Sequence, residues 1–120
     1  MYVMGSEPIP STSASDIKEY FKDMTTVQEL ADAFAITSNK FWWVEDNEYD
    51  YEEGTPEYIE ASAITHEWCE LMKFYENKIF EIIRSEGVEI PPTGRIIVLA
   101  PFMKRYGYDD GNGWWIKNPN

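Results

Sequence analysis

The feature that most constrains the fold is a long helical repeat in the middle of the chain. Apolar residues recur there at spacings of three and four, which is the pattern of one face of an α-helix. They are Ala61, Ile64, Trp68, Leu71, Tyr75, Ile79, Ile82 and Ile83. Thr55, Pro56 and Glu57 suit a helix start, and Gly87 can end the helix in a left-handed conformation. The pattern predicts a helix over 55–87, about 45 Å long at 1.5 Å per residue.

Such a helix is longer than the rest of a 120-residue domain covers easily. Its exposed end is therefore a candidate for pairing with a second copy, as a homodimer. The pattern leaves open whether the helix is continuous or broken into two.

Two shorter helical patterns precede it. Ile17, Tyr20, Phe21 and Met24 follow the capping candidates Ser13 and Ser15 and predict a helix over 15–24. The second pattern starts with Thr26 and Glu29, the two ends of a capping box. Its inner face is predicted to consist of Val27, Leu30, Ala31 and Phe34.

The last part of the chain has the character of β-structure. Residues 95–99 are β-branched and continuous like a buried strand, and 110–113 have turn chemistry leading into a strand at 114–116. Residues 101–108 fit either a strand or a short helix that starts at Pro101. The expected fold class is α+β and mostly helical, with a C-terminal β-strand or hairpin.

Composition supports one globular domain. Hydrophobic residues make up 43% of the chain and aromatic residues 16%, enough for a core despite a net charge of -12. The single cysteine excludes an internal disulfide and a cysteine-rich zinc module. We see no apolar run of ~18 residues and no signal-peptide pattern, so we expect a cytoplasmic protein with no membrane contact.

The expected organisation is a flexible leader over 1–14, rich in Pro, Gly, Ser and Thr, and a single domain over 15–120. Within the domain we expect four segments. They are a helical core over 15–46, an acidic loop over 47–54, the long helix over 55–87 and a β-like tail over 88–120.

Residues 25–46, TTVQELADAFAITSNKFWWVED, resemble the helix-turn-helix of bacterial transcription regulators, including winged-helix proteins. The matching apolar positions are Leu30, Ala31, Phe34, Ile36, Phe41 and Val44. Ala35 departs from the pattern, which usually has a glycine in the turn. The resemblance implies two helices joined by a tight turn and, with the helix at 15–24, a three-helix core.

A DNA-reading role is what the resemblance implies for this segment. Thr37, Ser38, Asn39, Lys40, Trp42 and Trp43 would then face the major groove, and Lys104 and Arg105 would hold the phosphate backbone. The charge balance argues against this role, because 22 acidic residues oppose 10 basic ones. A small helix-turn-helix regulator is therefore the alternative interpretation.

The charge is concentrated in a segment that we call the acidic ridge, residues 42–60. Its stretch 45–60 carries -8 of the net -12 and has no basic residue. The carboxylates are Glu45, Asp46, Glu48, Asp50, Glu52, Glu53, Glu57 and Glu60. The aromatic residues among them are good anchors for a partner. We expect the ridge to bind a basic surface of another protein, as a possible mimic of nucleic-acid charge. The candidate contact residues are Trp42, Trp43, Glu45, Asp46, Glu48, Tyr49, Asp50, Tyr51, Glu52 and Glu53.

No catalytic, metal or cofactor residue is predicted. His66 and Glu70 lie one helical turn apart, but a zinc-protease motif needs a second histidine, so a polar helix face accounts for them. Cys69 fits a structural thiol. An EF-hand centred on Gly54 would place Tyr49 and Tyr51 at the first ligand positions, which excludes it.

Overall fold

A computed structural model describes residues 9, 11–111 and 114–118. Within them the chain forms four helices and a two-stranded antiparallel hairpin. The helices are α1 (Ala14–Tyr20), α2 (Val27–Glu48), α3 (Pro56–Ser85) and α4 (Ile96–Arg105), and the strands are β1 (Tyr108–Asp110) and β2 (Trp115–Lys117). The mostly helical α+β prediction is confirmed. Of the predicted leader, 1–8 and 10 lie outside the described residues, as do 112 and 113 of the predicted turn.

The starts of α1, α2 and α3 lie where the sequence predicts them. Ser13 and Asp16 form one capping box and Thr26 and Glu29 another, with N···O distances of 3.1–3.2 Å in both. The hydroxyl of Thr55 accepts a hydrogen bond from the Tyr58 backbone N–H at 3.2 Å. Helix α1 ends at Tyr20 rather than at 24, because the chain must turn before the extended Thr26 cap.

The turn implied by the helix-turn-helix resemblance is absent. Helix α2 is continuous over 22 residues, so one helix stands where the resemblance implies two. Neither glycine nor proline occurs within α2, and Ala35, the position of the expected turn glycine, favours helix. Thr37 donates to the Ala33 carbonyl at 2.8 Å, which keeps its hydroxyl satisfied inside the helix. Helix α2 also extends to Glu48, so the loop begins at 49 rather than 47.

Helices α2 and α3 form an antiparallel pair that holds the core. The long-helix prediction is confirmed, and α3 is unbroken over 30 residues. Its buried face includes Trp68, Leu71, Tyr75 and Ile79, whereas Ile64, predicted on that face, is 40% exposed. Helix α1 lies along the pair, with the rings of Phe21 and Tyr75 6.3 Å apart.

The predicted strand at 95–99 is wrong, because these residues begin α4. Leu99, Phe102 and Met103 are buried at helical spacing across Pro101, while the β-branched Ile97 is 71% exposed. The undecided segment 101–108 is helix up to Arg105 and becomes strand β1 at Tyr108. Gly107 makes the bend between them with a φ of 91°.

The molecule is elongated, with extents of 47 × 31 × 27 Å, and α3 runs along most of its length. The loop between α2 and α3 lies at one end. Helix α4 lies at the other, where Arg105 pairs with Glu86 at the end of α3 and Gln28 donates to the Tyr106 carbonyl at 3.0 Å. In the described part of the chain, none of the helices has both the length and the apolar character of a membrane span.

Candidate protein-interaction surface

The acidic ridge forms the end of the molecule where α2 meets α3. It comprises the last turns of α2, the loop at 49–55 and the first turn of α3. Asp50, Glu52 and Glu53 are exposed on the loop, and Glu45, Asp46 and Glu48 are half-buried on α2. The fold thus gathers the predicted acidic residues at one end.

The ridge carboxylates on α2 lie near the C-terminus of the helix, where negative charge destabilises it. The last turn of α2 contains no basic residue, although the partial negative charge of a helix C-terminus favours cations. Glu45, Asp46 and Glu48 therefore repel both the helix end and one another. Local conflicts of this kind are expected where a surface serves binding rather than stability.

Mutual repulsion also changes the acidity of individual groups. Partial burial raises the pKa of Glu45, and the negative charges of Glu48 and Asp46 raise it further. The charge of Glu48 is the largest cause of a raised pKa at Tyr58, with burial and Glu53 contributing. A cation bound at the ridge would lower the pKa of both Glu45 and Tyr58.

Aromatic side chains are exposed beside these charges. Tyr49 is 73% exposed, Tyr51 47% and Trp42 38%, and the Trp42 ring meets the Phe41 ring edge to face at 5.1 Å. Trp43 is half-buried. The ridge therefore offers rigid apolar contact area as well as charge.

Four of the six residues that the resemblance places in the major groove lie against the core or the hairpin. Thr37, Ser38 and Lys40 are buried, with Lys40 only 4% exposed and its Nζ 5.8 Å from the centroid of the Trp68 ring. The Asn39 side chain donates to the Trp115 carbonyl at 2.9 Å and accepts from the Trp115 N–H at 2.8 Å. Because Thr37, Ser38 and Lys40 are buried and Asn39 is bonded to the hairpin, these four side chains are not presented to solvent as a DNA-reading face would be.

Lys104 and Arg105 are exposed in the last turn of α4. Arg105 is engaged by Glu86 through two hydrogen bonds of 3.0 and 3.1 Å, which lower the pKa of Glu86. Lys104 Nζ lies 4.0 Å from an Asp109 carboxylate oxygen. Both predicted phosphate contacts are thus paired with carboxylates of the same chain.

Sequence reasoning missed a polar cluster between α2 and the hairpin. Tyr108 donates to Asp32 at 2.7 Å, and Lys117 Nζ lies 3.6 Å from the same carboxylate and 4.7 Å from the Tyr108 ring centroid. Burial raises the pKa of Tyr108, and the bond to Asp32 adds to the shift. The cluster borders a cleft of about 440 Å³ whose floor includes Ile17 and Phe21. No local sequence pattern predicts this cluster, because Asp32 and Tyr108 are 76 positions apart in the chain.

The remaining candidates, His66, Glu70 and Cys69, lie on α3. His66 and Glu70 are both exposed on α3, with 3.9 Å between Nε2 and Oε1. Cys69 is a half-buried free thiol. Among residues 9, 11–111 and 114–118, no three His, Cys, Asp or Glu side chains are grouped as metal ligands would be.

Comparison of the chain with protein-family descriptions, curated proteins and solved structures gave no match.

Proposed function

We propose that the protein is a non-catalytic interaction protein whose acidic ridge binds a basic surface of another protein. The observation that carries the proposal is the joint placement of eight carboxylates and the exposed Trp42, Tyr49 and Tyr51 at one end of the molecule. Lys40 and Lys73 are the nearest Lys or Arg residues on either side of the ridge in the sequence, and Lys40 is buried.

Charge of one sign on one end of an elongated molecule steers the approach of an oppositely charged partner. It does not by itself hold the complex, because exposed ion pairs contribute little and salt screens them. The aromatic side chains supply the buried contact area on which affinity depends. Tyr49 and Tyr51, on the loop, are the best placed for this role.

A nucleic-acid-binding surface is one kind of partner that fits these requirements. Such surfaces display Lys and Arg at positions that match a row of negative charges. The ridge would then act as a mimic of nucleic-acid charge, and a DNA or RNA duplex would compete with it for the partner.

The test compares the wild type with two variants of equal net charge. The first replaces Glu48, Asp50, Glu52 and Glu53 by Lys. The matched control replaces the exposed Glu19, Asp23, Glu81 and Glu89, which lie outside the ridge. Each purified protein is crosslinked to proteins of its host lysate, and the captured proteins are quantified.

We expect a set of basic proteins that the wild type and the control capture and the ridge variant loses. A purified member of that set should bind more weakly as salt increases. If every captured protein binds the ridge variant as well as the control, the proposal is wrong.

A further inference from the structure

A small hollow opens on the flank of the acidic ridge, between the last turns of α2 and the second turn of α3. Its volume is about 140 Å³. Val44, Ala61 and Ile64 form its aliphatic part. At about 30 Å³ per water molecule, this space equals roughly five waters. It suits the end of one long side chain and excludes a helix or a strand.

The rest of the lining combines aromatic rings with a carboxylate. Trp43 and Tyr51 provide the rings, and Glu48 and Asn47 provide the polar groups. Tyr51 and Ile64 are 47% and 40% exposed, so the hollow leaves apolar surface in contact with water. A ligand that covers this surface gains free energy by removing it from water.

The charge of the surroundings selects a cation. Glu48 belongs to the lining, and its negative charge raises the pKa of both Tyr58 and Glu45. From residue 41 to residue 72 the chain contains ten acidic residues and neither Lys nor Arg. An anionic or neutral side chain would therefore leave the strong negative potential of the hollow uncompensated.

Among cationic side chains, the lining favours arginine over lysine. The guanidinium group is planar and weakly hydrated, stacks on aromatic faces and binds a carboxylate through two parallel hydrogen bonds. The lysine ammonium group is compact and strongly hydrated, and it loses more by leaving water. We infer that the hollow binds an arginine side chain of the basic partner, between Trp43 and Tyr51 and against Glu48.

This inference rests on the proposed function, since it names the partner group that the ridge anchors. The test uses the full chain and two unstructured peptides of equal length and charge. One peptide has arginine at every basic position and the other has lysine. Isothermal titration calorimetry at low salt gives the two dissociation constants and their ratio.

We expect the wild type to bind the arginine peptide about fivefold more tightly, the scale of one partly desolvated cation–aromatic contact. Tyr51→Leu and Glu48→Gln should bring the ratio close to one. Tyr49→Leu is the control, because Tyr49 is an exposed ridge tyrosine that does not line the hollow. That variant should keep the wild-type ratio. Circular dichroism of each variant verifies the fold, and Trp43→Leu gives an independent test of the second ring.

The possible failures are distinguishable. If the wild type binds both peptides equally, or if Tyr51→Leu and Trp43→Leu both keep its ratio, the arginine site is wrong and the proposed function stands. If neither peptide binds at low salt, both the site and the proposed function are wrong.

Discussion

Glu29 and Glu45 lie on the same helix in opposite electrostatic situations. The Glu29 carboxylate accepts hydrogen bonds from the backbone N–H groups of Thr25 and Thr26 near the start of α2, and these bonds lower its pKa. Glu45 lies near the end of α2, where partial burial and repulsion raise its pKa. One carboxylate thus stabilises the fold, and the other belongs to the acidic ridge, the proposed binding surface.

The two groups predict opposite effects of pH. Ionised Glu29 stabilises the folded state at pH values above the unfolded pKa of 4.5, and this contribution is lost as pH falls through its lower folded value. Glu29→Gln should therefore reduce stability at pH 7, with the loss disappearing in acid. Glu45 favours folding most below 4.5 and loses that contribution as pH rises through its higher folded value. Glu45→Gln should therefore increase stability at neutral pH and have no effect below 4.5.

Urea denaturation at a series of pH values from 3 to 7 measures both effects. Glu81→Gln, an exposed acid on α3, is the control and should alter stability little at any pH. Equal effects of the two substitutions, in sign and in pH dependence, would contradict the assignment of roles.

At the residue level, sequence reasoning succeeds where the interaction is local. The Thr26–Glu29 capping box and the Ser13 cap act within three positions and were predicted from residue type alone, whereas the pairing of Ser13 with Asp16 was not predicted. The Tyr108–Asp32 bond was not, because only the folded chain brings those positions together. The same holds for the hollow, whose lining comes from both α2 and α3.

Among the elements, α2 shows how an apolar pattern can fit two structures. The spacing of Leu30, Ala31, Phe34 and Phe41 suits a helix-turn-helix core and equally one buried face of a straight helix. Ala35 distinguishes the helix-turn-helix from the continuous helix, because a left-handed turn at this position would favour glycine. The β-like prediction at 95–99 failed for a related reason, because it used β-branching alone and stopped before the helical spacing of Phe102 and Met103.

A glycine substitution distinguishes the two structures of α2. In the continuous helix, Ala35→Gly should reduce the free energy of unfolding by about 1–2 kcal/mol, through lost helix propensity and a lost buried methyl group. Ala63→Gly, at an exposed position inside α3, is the control and should lose only the propensity part. Urea denaturation measures both. A turn at position 35 would be stabilised by glycine, so a higher free energy of unfolding in Ala35→Gly would contradict the continuous helix.

For the whole molecule, the hairpin is joined to the helices by polar groups as well as by packing. The Asn39 amide pairs with both backbone groups of Trp115, as a neighbouring strand would. The Trp115 ring packs 6.0 Å from that of Phe34, and Tyr108 reaches Asp32. These contacts fix the hairpin against α2, on the N-terminal side of the acidic ridge.

Removal of the Asn39 amide should loosen the hairpin without disturbing the ridge. Asn39→Ala leaves the two Trp115 backbone groups without this partner, and we expect a loss of about 1–3 kcal/mol in the free energy of unfolding. Asn47→Ala, at an exposed position of the same helix, is the control. Hydrogen exchange should show the Trp115 amide protected in the wild type and faster in Asn39→Ala. An unchanged exchange rate would mean that packing alone holds the hairpin.

The link between Asn39 and Trp115 also sets a time order for folding. The two residues are 76 positions apart, and a ribosome adds roughly 5–20 residues per second, so about 4–15 s pass between their synthesis. The rest of α2 and all of α3 and α4 are made in that interval, before the Asn39 amide can pair with Trp115. The hairpin is therefore the last element of the described chain that can dock against the helices.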